Sequence, residues 1–163
     1  MGTGADLAAE LVGASDAFCK YTAALTPAQW RAHAVNSPDI VQGEDENRTV
    51  GVLVHHVADW LPRCLAMVEV RVRTDGAPPT DRAELDRINA EHAAAHWDPD
   101  QAETLALLAQ RTEEVAAALA ALSDEDLARG QSSGFDAETV TRRVMIGHLG
   151  WHLGSIKATF GDA

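Results

Sequence analysis

Aromatic side chains are scarce in this chain, with four Trp, three Phe and one Tyr among 163 residues. A core without many large rings must be filled by small and branched aliphatic groups, and the dominance of Ala suits closely packed helices. Cysteine is thinner still. Cys19 and Cys64 stand alone within helical patterns, with no Cys-x-x-Cys pair. That excludes a disulfide framework and makes a reduced, cytoplasmic protein the expectation. Positive charge is also lacking: 13 Lys and Arg against 25 Asp and Glu leave a formal net charge of −12. Such a balance opposes binding to a nucleic-acid backbone or an anionic membrane surface. The only basic clusters are Arg71-Val72-Arg73 and Arg142-Arg143. No run of about 18 apolar residues is available to span a bilayer, and the first residues lack the charged-then-apolar build of a signal peptide. Ser-His-Asp order, a glycine-rich phosphate loop, a fixed-period repeat and useful strand alternation are all missing.

What remains is helical. Leu7, Leu11, Val12, Phe18, Cys19 and Ala23 recur at helical spacing from about Ala5 to Leu25. Thr26-Pro27-Ala28-Gln29 reads as a capping box with Pro at the first helical position, opening a short helix with Trp30. The stretch from His33 to Asn47 is polar and irregular, a loop. A long helix follows from Thr49 to Arg73, capped by Thr49 or Asn47, with a stripe of Val50, Leu53, Val54, Val57, Leu61, Cys64, Leu65 and Val68. Pro62 inside it predicts a kink near Ala58 to Trp60. Asp75 to Pro79 is a turn cluster, and Thr80 or Asp81 starts a helix to about His96. Asp98-Pro99-Asp100-Gln101 starts another, Ala102 to Leu122, and Ser123-Asp124-Glu125-Asp126 a single turn. Gly130 to Gly134 is a loop, after which Asp136 caps a last helix from Ala137 to Phe160. The expected architecture is one all-α domain over residues 1–163, an antiparallel four-helix bundle with short extra helices.

Histidine placement is the unusual feature. His148 and His152 are four apart, so on a helix they share a face. At about 100° per residue, the apolar arc of that helix runs from Val140, Val144 and Trp151 through Met145, Leu149 and Ile156 to Leu153 and Ile146. Both histidines point near its middle, where imidazoles are costly unless each nitrogen finds a partner. They are either core histidines satisfied by neighbours or two ligands of a divalent metal that needs a third. On the second long helix, His55 and His56 lie on opposite flanks of the apolar stripe. Both lie about equally far from its centre, so periodicity alone favours His56 only slightly; its flank neighbours Trp60, Arg63 and Met67 read as a pocket wall. Those three are the candidate substrate-binding residues, with Arg63 a candidate anion holder or, the reading preferred for it, a solvated surface arginine. His92 and His96 form a second pair four apart, either a rival metal pair or, the reading preferred, solvent-exposed or pocket-rim histidines. Asp59, four after His55, is either an acceptor for a ligand imidazole or a surface acid. The four Trp are expected in the core or a pocket wall. Gly147, Gly150 and Gly154 form a bare stripe away from the histidines. Glycine inside a helix costs about 1 kcal/mol relative to Ala, so close approach by another helix, or by a second copy in a homodimer, is expected there.

Several segments resemble one family. Thr49-Val50-Gly51-Val52-Leu53-Val54-His55-His56-Val57 resembles the opening of the second helix in DinB/YfiT-like proteins. His148-Leu149-Gly150-Trp151-His152-Leu153-Gly154-Ser155-Ile156 resembles their closing H-x-x-x-H segment. Asn89 sits where that superfamily often has Asn, and Leu122 to Leu127 is similar to the stretch before its last loop. In that family three histidines bind a divalent metal within a four-helix bundle. The resemblance therefore implies His56, His148 and His152 as the ligands, with Zn²⁺ expected and Ni²⁺ or Fe²⁺ compatible. It also implies a small-molecule substrate and a low-molecular-weight thiol, of the mycothiol or bacillithiol type, activated for transfer to an electrophile. Against the maleylpyruvate isomerase branch stand His148, where that branch has Glu, and the absence of an extra C-terminal domain. A further branch hydrolyses or sequesters reactive molecules for self-protection, so a hydrolytic or non-catalytic binding protein is the alternative.

Overall fold

The structure, a computed structural model, describes residues 2–35, 48–73, 81–129 and 136–161. The expected loop beyond residue 35, the Asp75–Pro79 turn and the Gly130–Gly134 loop lie outside the described residues. Every described element is a helix, apart from one isolated bridge between His33 and Thr49. In chain order they are α1 (Gly4–Ala23), α2 (Pro27–Trp30), α3 (Val50–Arg73), α4 (Arg82–Ala95), α5 (Gln101–Ala120) and α6 (Asp124–Ala128). A final rod joins α7 (Ala137–Val140), a π-helical stretch (Thr141–Ile146) and α8 (Gly147–Phe160).

Short polar side chains set the boundaries, because each satisfies a backbone N–H that the first helical turn leaves orphaned. Thr26 accepts from Gln29 N while the Gln29 side chain answers the Thr26 N–H, the capping box with Pro27 at the first position. Thr49 Oγ1 accepts from Val52 N at 3.3 Å and so opens α3. Asp81, Asp100, Ser123 and Asp136 do the same for α4, α5, α6 and α7. Pro62 lies within α3, which continues through it to Arg73.

Helices α1 and α3 both pack along α5, and the final rod packs against α1 and α3. The core between them is Leu, Val and Ala with Phe18 and Trp30, as the poverty of aromatics requires. Ser15 and Thr112 share a buried 2.7 Å hydrogen bond between α1 and α5. Gly51 lets Trp30 lie directly on α3, since a Cβ there would stand 2.5 Å from the indole nitrogen. The indole N–H then reaches Pro99 O at 2.8 Å. Helix α4 differs from the others. None of its described residues is buried.

Three expectations fail here. Trp97 is 73% exposed and Trp151 46% exposed, so neither fills the core. Gly150 faces open space: no described atom of the chain comes within 4 Å of where its Cβ would stand, so no described helix of this chain is the partner expected there. The last helix is also not regular: Gly147 N–H reaches back five residues to Arg142 O. Such wide turns rotate the α8 side chains relative to those of α7. Trp151, at the edge of an arc drawn for an unbroken helix, consequently ends outside the core.

Candidate metal centre

The same irregular rod delivers two imidazoles to the interior. His152 is 7% exposed, His148 is half-buried, and one turn of α8 separates them. Opposite, α3 contributes His56, 3% exposed. His148 Nε2 lies 3.2 Å from His56 Nε2 and 2.9 Å from His152 Nε2. Three ring nitrogens therefore face one point between α3 and α8. Burial comes first in pushing the His56 and His148 pKa well below the usual histidine range, with the neighbouring His152 adding to it. Near neutral pH both rings carry lone pairs and no charge.

Hydrogen bonding does not resolve that convergence. A neutral imidazole has one N–H and one lone pair, so His148 Nε2 can make at most one proper hydrogen bond to its two neighbours. His56 Nδ1 is buried with no hydrogen-bond partner among the described residues. His56, His148 and His152 would each offer a lone pair to a cation at the common point, and neutral imidazole is the donor that Zn²⁺, Ni²⁺ and Fe²⁺ bind. The donor set fits a divalent metal, and the three residues form a group able to hold one. Three donors also leave a coordination position for water or substrate, unlike the closed sets of structural zinc sites.

Trp60 forms one side of this centre. Its ring lies 5.6 Å from His56 and 6.0 Å from His148, centroid to centroid, and its N–H donates to Asn89 Oδ1 at 3.3 Å. Met67 is half-buried against the core further along α3. Arg63 is exposed and stacks on Trp60, its guanidinium carbon 5.9 Å from the ring centroid. The arginine whose charge reaches both His56 and His148, lowering their pKa, is instead Arg48. It precedes α3 and is placed by the bridge segment, where Arg48 O accepts from Ala34 N at 3.1 Å. Nothing in the sequence marked Arg48, because its neighbours in the chain are polar loop residues without period.

His55, Asp59, His92 and His96 meet on the other flank of α3. His55 Nδ1 is 2.9 Å from His92 Nε2, and Asp59 Oδ2 is 3.3 Å from His92 Nε2. His96 stacks on His55 with centroids 3.8 Å apart. The hydrogen bond from His92 is the main cause holding the Asp59 carboxyl below its ordinary range. Burial lowers the His55 pKa, and the adjoining His96 adds to that. Asp59 thus turns to this second group and not to His56, and Asp59, His92 and His96 are among the residues that line a cavity of about 480 Å³.

An all-helical chain with a histidine set gathered between helices defines a class of metal-capable helical bundles. The DinB superfamily family model matches residues 10–155, and the chain belongs to that superfamily. No curated protein and no solved structure matches it.

Proposed function

We propose that this chain is a divalent-metal-dependent enzyme. In this reading it activates a low-molecular-weight thiol, of the mycothiol or bacillithiol type, for transfer to an electrophilic small molecule. The observation that carries the reading is the meeting of His56, His148 and His152 nitrogens from two helices, three donors among the described residues. His56, His148 and His152 would hold the ion, Zn²⁺ in the first instance and Ni²⁺ or Fe²⁺ compatibly. When bound, such an ion supplies Lewis acidity, lowering the pKa of a thiol or water beside it.

The chain's own residues do the rest. Burial keeps His56 and His148 neutral, which leaves them free to bind a cation without first losing a proton. Trp60 presents an aromatic wall beside them, and the Arg48 guanidinium offers positive charge to an anionic substrate group. The thiol must come from outside. Cys64 is buried in the core, which pushes its pKa up to about 12, and burial raises the Cys19 pKa as well. Neither offers a thiolate near neutral pH.

The test is to strip the protein with chelator, restore Zn²⁺, and follow loss of mycothiol or bacillithiol in the presence of a panel of small electrophiles. Metal-dependent thiol consumption that disappears in His148→Ala supports the reading. Hydrolysis of the electrophile without thiol loss assigns water as the nucleophile. Tight electrophile binding without turnover makes the protein a binder.

A further inference from the structure

We propose that His55, Asp59, His92 and His96 form a second divalent-cation site, which clamps α4 onto α3. This site uses none of the residues of the three-histidine centre and stands whether or not that centre is catalytic.

The donor geometry is that of a coordination shell. Zn–N and Zn–O bonds of about 2.0–2.1 Å in a tetrahedron put ligand atoms about 3.3 Å apart. Three of the donor atoms span a triangle with edges of 2.9, 3.3 and 3.8 Å: His55 Nδ1 to His92 Nε2, His92 Nε2 to Asp59 Oδ2, and Asp59 Oδ2 to His55 Nδ1. His96 supplies the fourth, and all four donor atoms lie within 4.8 Å of one another. Three imidazoles and one carboxylate are a donor set that would close a four-coordinate Zn²⁺ site, the kind that serves structure. Hydrogen bonding alone accounts for the group poorly. His92 Nε2 faces both the Asp59 carboxylate and His55 Nδ1, yet it carries either one proton or one lone pair.

The packing supplies the reason for such a site. Helix α4 has no buried described residue, so little apolar area fastens it to the bundle. Among its polar ties to α3 are the Trp60–Asn89 hydrogen bond and this cluster. A cation ligated twice from α3, by His55 and Asp59, and twice from α4 and its C-cap, by His92 and His96, would replace the missing hydrophobic anchor. The His55 and His92 side chains are 12% and 10% exposed, while Asp59 at 37% leaves an entry path from solvent.

Equilibrium dialysis of the chelator-stripped full chain against Zn²⁺, with metal counted by mass spectrometry, decides the matter. The expected result is two ions per chain for the wild type, one in His148→Ala, and one in His92→Ala/His96→Ala. A single ion in the wild type that vanishes in His148→Ala overturns the second site and leaves the first intact. Retention of the second ion in His92→Ala/His96→Ala also overturns it. Asp59→Asn, nearly isosteric and so safe for folding, should weaken the second ion tenfold or more; unchanged affinity overturns the proposal. For the clamp, amide exchange over residues 82–95 is read in His148→Ala, where only the second site remains. Saturating Zn²⁺ should slow it about tenfold or more, and exchange indifferent to Zn²⁺ overturns the clamp.

Discussion

Two histidines that are neighbours in the chain live in different parts of this molecule. His56 faces inward to α8 and meets a partner 92 residues away. His55 faces α4 and meets a partner 37 residues away. Among the described residues, one group is enclosed and offers three imidazoles; the other is shallower, contains a carboxylate, and offers four donors. About 100° of rotation along one helix separates a set suited to open-site chemistry from a set suited to holding two helices together. Residue type alone does not assign a histidine its role. The number and kind of donors opposite it do.

The largest expected effect sharpens this contrast at its source. His56→Ala should remove the deep ion and reduce metal-dependent thiol transfer by more than the roughly 100-fold that losing an outer partner of a metal ligand costs. His55→Ala, one residue away, should instead leave transfer within about tenfold and speed amide exchange in α4. Equal losses of transfer in the two variants would show that the two groups act as one site.

Acid should separate the groups next. Burial lowers the His56 and His148 pKa in the folded chain, so below the unfolded value of about 6.5 the unfolded state binds more protons than the native state. Stability of the metal-free protein is therefore full above that pH and falls as pH drops beneath it. The slope approaches about 1.4 kcal/mol per pH unit for each such imidazole. Urea midpoints at pH 7 and pH 5 measure it, and His148→Leu should flatten the profile. Equal midpoints at the two pH values would mean that the rings are not held neutral by burial.

Smaller effects lie at the edges of the two groups. Trp60→Phe keeps the ring beside His56 but removes the donor to Asn89, so α4 should loosen by about 0.5–1.5 kcal/mol in exchange measurements. A change confined to α8 would put the Trp60 contribution on the deep side instead. Gly150→Ala, on the open side of α8, should stabilise the chain by up to about 1 kcal/mol and raise the melting temperature. A lower melting temperature would reveal a surface that another chain covers.

Much of the helical skeleton was legible because its signals are local. Thr26, Asp100, Ser123 and Asp136 cap where short polar residues precede apolar periodicity, and Thr49 caps α3, the alternative Asn47 lying outside the described residues. The pairing of His148 with His152 is likewise a matter of spacing on one rod. Other features were not local. Trp97 and Trp151 are large and apolar, yet exposed, because burial depends on what stands opposite and not on the ring itself. The wide turns of Thr141–Ile146 break the constant rotation that every periodicity argument assumes. Arg48 reaches both deep histidines from a polar stretch with no periodic cue, whereas Arg63, on the expected flank, stacks on Trp60 in solvent.

The amino-acid sequence by itself determined the helices, most of their caps and the face of each rod on which the histidines fall. Those follow from backbone hydrogen bonding and a 3.6-residue repeat, which act over a few residues. Only the tertiary structure decided that His56 meets α8 while His55 and Asp59 meet α4. Periodicity fixes the direction in which a side chain leaves its own helix, but packing of the whole core determines which helix stands across from it.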